Sequence, residues 1–138
     1  IDSAKKDIFI AGADIKEIEK LKNEKEVYEA LMEVHEIFNK LENLTIPTIA
    51  YINGACMGGG LELALACKYR VLSTNEKTKL AFPEIKLGIF PGFAGTIRAP
   101  KLIGLVNALD LILTGKTIDA KKAYKIGLAD MIFDGAFR

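Results

Sequence analysis

The sequence predicts an α/β fold in a single domain spanning residues 1–138, with helices crossing over between buried strands. Three observations predict it. Short uninterrupted apolar runs, Ile8-Phe9-Ile10-Ala11, Thr48-Ile49-Ala50-Tyr51-Ile52 and Tyr69-Arg70-Val71-Leu72-Ser73, read as strands. Segments of helical periodicity lie between them, so the order is strand, helix, strand, helix, strand. Glycine or proline stands at most of the junctions, and no repeat, low-complexity tract or linker divides the chain.

In order along the chain, the Ile8–Ala11 run closes at Gly12 into a tight loop, where Asp14 is placed to cap the next helical segment. Between Ile15 and Leu44 the residues Val27, Leu31, Val34, Phe38 and Leu41 recur at helical spacing and share one face, while Glu26, Glu29, Glu33 and Glu36 cover others. The polar stretch Lys22-Asn23-Glu24-Lys25 splits this region into a short first helix and a longer second one. Pro47 stops the helix, and the strand through Ile52 ends at an Asn53-Gly54 turn. A helix opens at Gly58-Gly59-Gly60 and continues through Leu61-Glu62-Leu63-Ala64-Leu65-Ala66. After the Tyr69–Ser73 strand, Gly88 to Gly95 form a glycine- and proline-rich loop long enough to do more than connect. Helices are expected over Ala94 to Ile103, Val106 to Leu113 and Asp119 to Ile126, with Gly104, Gly115 and Gly127 at their ends.

Half of the 138 residues are hydrophobic and 27% are charged, the composition of a globular domain with one core. Nineteen Lys and Arg against 18 Asp and Glu leave a net charge of +1, so no basic field for nucleic acid exists and an anionic ligand must be held locally. Cys56 and Cys67 lack the spacing of a disulfide scaffold or zinc site and read as reduced packing residues in a cytosolic setting. No apolar run approaches the roughly 20 residues that span a bilayer, and the start is no signal peptide. Because the chain starts at Ile1 rather than Met, and ends just after the apolar Ala129–Phe133 stretch, it is expected to be incomplete at both ends.

Chemistry concentrates at a few positions. Glycines at a strand-to-helix junction, as at Gly58-Gly59-Gly60, let a ligand approach backbone N–H groups that a helix start leaves unpaired. Such donors favour a developing oxyanion; tight helix-strand packing explains the same glycines equally well. Gly12-Ala13-Asp14 forms a second such corner, or an ordinary turn. Glu62, in the first turn of an otherwise apolar helix, and Glu84, in Leu80-Ala81-Phe82-Pro83-Glu84-Ile85, are acids in apolar frames, either structurally paired or functionally tuned. His35, the sole histidine, is expected to be a solvated helix position. With one histidine there is no Ser-His-Asp triad and no histidine-rich metal spacing, and neither GxGxxG nor GxxxxGK[ST] occurs in a nucleotide-binding context.

Taken together, Phe9-Ile10-Ala11-Gly12-Ala13-Asp14-Ile15, Ile52-Asn53-Gly54-Ala55-Cys56-Met57-Gly58-Gly59-Gly60-Leu61-Glu62-Leu63-Ala64 and Phe82-Pro83-Glu84-Ile85-Lys86-Leu87-Gly88-Ile89-Phe90-Pro91-Gly92 resemble the enoyl-CoA hydratase/isomerase (crotonase) family over nearly the whole chain. Lys86 to Gly95, followed by Arg98 and Pro100, looks most like the hydratase/isomerase part of the multifunctional fatty-acid oxidation complex α subunits. The resemblance implies a crotonase-like ββα spiral. It implies an enzyme of β-oxidation that hydrates trans-2-enoyl-CoA to 3-hydroxyacyl-CoA, with Ala13 and Gly59 as the oxyanion-hole amides, Glu62 activating water and Glu84 exchanging the α-carbon proton. It further implies substrate or CoA contacts at Ala11, Ile15, Lys16, Gly58, Pro83 and Gly92, although Lys16 reads equally as a solvated lysine. No metal or cofactor is expected, coenzyme A being part of the substrate.

Expected partners are the acyl-CoA substrate and either further copies in a homotrimer or hexamer or the other subunits of a β-oxidation complex, with no nucleic acid. The expected location is the cytoplasm, or the mitochondrial matrix in a eukaryote. A 3-hydroxyacyl-CoA dehydrogenase domain would lie beyond Arg138. The resemblance further implies that the family's first strands and the C-terminal helices that complete the acyl pocket are expected to lie outside this chain, and Ala94 stands where many relatives have glycine. The apolar frames predict that at least one of the two glutamates titrates well above a solvated one. Two rival readings are a Δ3-Δ2 enoyl-CoA isomerase, which shuttles one proton without activating water, and a non-catalytic crotonase-like binding module.

Overall fold

The computed structural model describes residues 1–12, 20 and 22–135. Strand β1 covers Ile8–Ile10, helix α1 Glu24–Glu42, β2 Ile49–Ile52, β3 Ala55–Met57 and α2 Gly59–Ala66. Next come β4 at Tyr69–Ser73, β5 at Lys79–Ala81 and a 3₁₀ turn at Pro83–Leu87. Helices α3 at Gly95–Ile103 and α4 at Leu105–Thr114 precede β6 at Ile118–Asp119, α5 at Ala120–Lys125 and β7 at Met131–Phe133. The apolar runs and the helical spacings therefore became the elements they predict. The expected cap at Asp14 and the short first helix fall on residues outside the described ones.

The strands form two sheets, β1-β3-β5-β6 and β2-β4-β7. Pairing is parallel throughout except between β5 and β6. The chain alternates between the sheets: β2 lies in one, and β3, two residues later, in the other. Helix α2 follows, and β4 and β5 then repeat the step before the next helical segment. This is the ββα progression expected from the resemblance. Its corner at Asn53-Gly54 is possible only for glycine, since Gly54 has φ +112° and a Cβ there would stand 2.1 Å from the Asp7 carbonyl carbon. The corner is fastened by Ala55 N–H donating to Asp7 O at 3.0 Å and by Gly54 N–H donating to Thr78 Oγ1 at 3.0 Å.

Helix α2 is apolar on nearly every side, and Leu61, Ala64 and Leu65 are buried between the sheets and helix α3. Burying Leu61 fully contributes about 2 kcal/mol of transfer free energy. Helix α1 is different in kind, for none of its residues is fully buried. Its start is fixed by reciprocal capping, with Glu26 N–H donating to Asn23 Oδ1 at 3.0 Å and Asn23 Nδ2 donating back to Glu26 Oε1 at 2.8 Å. The polar stretch Lys22-Asn23-Glu24-Lys25 thus supplies the cap of the helix that follows it. Cys56 and Cys67 are both free and buried. Among the described residues no helix is long and apolar enough to cross a membrane.

Candidate active site

Glu62 sits in the first turn of α2 with 1% of its surface exposed. The helix is buried because its other side chains are apolar, and the carboxylate is carried inside with it. One oxygen, Oε1, accepts from Gly95 N–H at 2.7 Å and from Phe93 N–H at 2.8 Å. Burial dominates the acidity and pushes the group up to about 7; the two amides and the His35 side chain pull it down, and the Glu84 carboxylate adds to the rise. Desolvation outweighs both hydrogen bonds and the favourable helix end, where an acid is ordinarily stabilised.

Glu84 lies in the first turn of the 3₁₀ segment, placed by Pro83 at its start, and is 9% exposed. Burial raises it too, offset only by its own backbone amide. Among the described residues its Oε2 atom is buried without a hydrogen-bond partner. The other oxygen faces Gly58, where a Cβ would come within 2.8 Å of it. Neither glutamate forms an ion pair among the described residues, and both are acids raised by burial, as the apolar frames predict.

The glycine triplet divides its tasks. Gly58, at φ +53°, donates its N–H to Ala81 O at 3.0 Å, so that amide is committed to the fold. Gly60 packs against β1 so closely that a Cβ would lie 2.4 Å from Ile10 O. Gly59, the first residue of α2, is partly exposed and belongs to the turn whose N–H groups have no intrahelical acceptor. The contact of Gly60 with Ile10 brings the end of β1 to the start of α2, and Gly12, with φ +113°, stands beside Met57 O. Ala13, Ile15 and Lys16 lie outside the described residues. Of the remaining predicted contact positions, Ala11 is exposed, Pro83 is half-buried against the site, and Gly92 is half-buried beneath Leu31 of α1.

His35 departs from the expectation of a solvated position. It is half-buried, and its Nε2 lies 2.6 Å from Gly92 O, which makes Nε2 the protonated nitrogen. Arg98, 7% exposed, stands out in the sequence only as part of a longer matching run. Its guanidinium donates to Phe93 O at 3.1 Å, to Asn39 Oδ1 at 2.9 Å and to Glu42 Oε2 at 2.8 Å and 3.0 Å. Phe38 meets Phe93 edge to face, with ring centroids 5.8 Å apart. The available signal was helical: residues 35, 38, 39 and 42 share one face of α1.

Comparison with known proteins identifies the family and the fold. The family model described as enoyl-CoA hydratase/isomerase matches residues 1–136. A fatty acid oxidation complex subunit alpha from Shewanella loihica is 51% identical over 130 residues, covering 94% of this chain and 18% of that protein. The solved enoyl-CoA hydratase from Bacillus anthracis is 39% identical with a TM-score of 0.88, covering 96% of this chain and 50% of its own. An enoyl-CoA hydratase structure from Thermoplasma volcanium gives 31% identity and a TM-score of 0.90, covering 97% and 52%. The chain thus spans about half of these structures and less than a fifth of the curated relative. It has the crotonase fold and belongs to the enoyl-CoA hydratase/isomerase family.

Proposed function

We propose that the protein hydrates trans-2-enoyl-CoA thioesters, with Glu62 and Glu84 as the acid-base pair and the amides of Gly59 and Ala13 as the oxyanion hole. One observation carries this reading: among the described residues the two buried carboxylates have no lysine or arginine ion-pair partner, and one of them keeps an oxygen with no hydrogen-bond partner. A purely structural acid in such a place would be paired, because leaving a buried polar atom unsatisfied costs about 1–3 kcal/mol.

In this mechanism ionised Glu62 takes a proton from water as the water oxygen bonds to C3. The double-bond electrons shift toward the thioester oxygen, where the two amides receive the charge. Protonated Glu84 delivers a proton to C2, and return of one proton from Glu62 to Glu84 resets the pair. Water is thereby added across the bond with no redox change. A Glu62 pKa of about 7 keeps both its forms populated near neutrality, the condition under which general acid-base catalysis is most effective. Coenzyme A arrives with the substrate, and the reading needs no further cofactor.

The test is hydration of trans-2-butenoyl-CoA by the complete protein. Glu62→Gln and Glu84→Gln should each lower kcat by about 10²- to 10⁴-fold. Full rates in both variants overturn the assignment. The unpartnered oxygen of Glu84 also suits a single-proton shuttle, so Glu62→Gln should retain more trans-3 to trans-2 isomerisation than hydration.

The assembly we propose is a fatty-acid oxidation complex in the cytoplasm, supported by the name and similarity of the curated relatives. Sedimentation of the complete protein, alone and with cell extract, distinguishes this from a homotrimer or hexamer.

A further inference from the structure

Three contacts grip the 92–95 turn, two from helix α1 and one from Arg98 of α3. His35 Nε2–H donates to Gly92 O, the Phe38 ring stands against Phe93, and Arg98, docked on Asn39 and Glu42, donates to Phe93 O. The opposite side of the same turn presents the N–H groups of Phe93 and Gly95 to Glu62 Oε1. The Gly92–Phe93 peptide is therefore held at its carbonyl from outside and used at its amide inside, and Arg98 holds the next peptide, Phe93–Ala94, which carries the chain on to the Gly95 amide. Gly92 O and Phe93 N belong to a single peptide group, so the His35 bond and one of the Glu62 bonds share one rigid plane.

We propose that Arg98 and His35 are positioning residues for Glu62, holding the 92–95 turn so that its two amides converge on one carboxylate oxygen. The proposal rests on the reading of Glu62 as an acid-base group. Neither residue need touch substrate; each acts through a backbone carbonyl. Ala94 gives the clamp something to oppose, since it has φ +70°, a region costing a non-glycine residue about 1 kcal/mol or more. A turn with that conformation relaxes unless held, and the His35 and Phe38 contacts from α1 and the Arg98 contact from α3 hold it.

Among the described residues the titratable and charged groups around Glu62 are Glu84 on the 3₁₀ turn, His35 on α1 and Arg98 on α3, itself paired with Glu42. Loosening the turn lengthens both amide bonds, which favour the ionised carboxylate, so the Glu62 titration moves upward.

The experiment follows Glu62 directly in the complete protein, by ¹³C NMR of the glutamate δ-carbons with the resonance assigned from its absence in Glu62→Gln, beside the pH dependence of kcat/KM. In Arg98→Ala the Glu62 midpoint should rise by about one pH unit, with kcat falling roughly 10- to 100-fold and KM changing little. His35→Ala should shift both in the same direction by less. His35→Gln carries no charge but keeps a donor at comparable reach, and should restore the midpoint. Arg98→Lys, which cannot reach Phe93 O, Asn39 and Glu42 together, should recover only part.

Unchanged Glu62 titration in folded Arg98→Ala or Arg98→Lys, together with unchanged titration in His35→Ala, overturns the proposal. Full recovery in Arg98→Lys with none in His35→Gln means charge rather than position and overturns it as well. Where Arg98→Ala fails to fold, the His35 pair and Arg98→Lys decide. Failure of the catalytic reading has a separate signature, undiminished hydration by Glu62→Gln, which the titration does not depend on.

Discussion

Gly95 and Glu62 are in contact so close that the backbone of one defines the position of the other: the Gly95 amide is 2.7 Å from Oε1, and a Cβ on Gly95 would stand 2.8 Å from that oxygen and 3.0 Å from the Phe82 ring. Phe82 is fully buried and cannot retreat without opening the core. Any side chain at 95 therefore displaces the carboxylate. Gly95→Ala should fold with a modest loss of stability, about 1–3 kcal/mol, and lose about 10²-fold in kcat. Steady-state kinetics beside a thermal melt check both parts.

The raised pKa of Glu62 has a consequence for stability. Its pKa rises from an ordinary 4.5 to about 7 in the fold, so the native state binds the proton more tightly than the unfolded chain. The resulting stabilisation is fully present below pH 4.5 and is lost as pH rises through 7. At about 1.4 kcal/mol per unit the swing is on the order of 3 kcal/mol. Glu62→Gln removes the titration while keeping an oxygen for the two amides. It should gain stability relative to the parent by roughly that amount between pH 5 and 9, measured by urea unfolding at each pH.

The sequence made Glu62 and Glu84 conspicuous because each interrupts an apolar frame, and the apolar runs that became β1, β2, β4 and α2 were equally plain. Strands β3 and β5 were not, for a physical reason. Each is three residues long, as β1 is, but Ala55–Met57 lies between glycines and Lys79–Ala81 opens on a lysine, and each is defined by pairing with a neighbour distant in sequence, Ala55 with Lys79 and Met57 with Ala81. Periodicity needs a longer window than that. The roles of His35 and Arg98 were hidden similarly. Their partners, Gly92 O and Glu42, lie 57 and 56 residues away, and a backbone carbonyl leaves no mark in composition. By contrast, the helical face that gathers Phe38 was legible, because a face is a local property.

Ala94 tests whether the strain in the turn is real. Its φ of +70° places Cβ against its own carbonyl, a cost glycine does not bear. Replacing it by glycine removes that cost but adds flexibility to the unfolded chain, so the two effects partly cancel. Ala94→Gly should stabilise the fold by about 0.5–1 kcal/mol with kcat unchanged or slightly raised, as denaturant melts and hydration kinetics can show. A loss of stability would mean that the turn is held without strain.

Arg70 supplies the opposite case, a buried charge far from the site whose work is wholly structural. Its guanidinium donates to Leu128 O at 3.0 Å, to Cys67 O at 2.8 Å and to Asp130 Oδ2 at 2.7 Å, and Asp130 also accepts from the Arg70 amide at 2.7 Å. These bonds tie β4 to the segment leading into β7, so the third strand of the sheet depends on them. Asp130 is partly exposed and can rehydrate when left alone, whereas the two carbonyls inside cannot. Arg70→Met should therefore destabilise by about 2–4 kcal/mol, because it fills the volume but strands the acceptors. Asp130→Asn, which leaves the guanidinium its carbonyls, should cost about 1 kcal/mol. Neither change touches the peptide groups around Glu62, so kcat per folded molecule should stay at the parent value in both, measured below their unfolding transitions. A fall in kcat for Arg70→Met at full occupancy of the folded state would mean that the β4–β7 pairing reaches the acid-base pair after all.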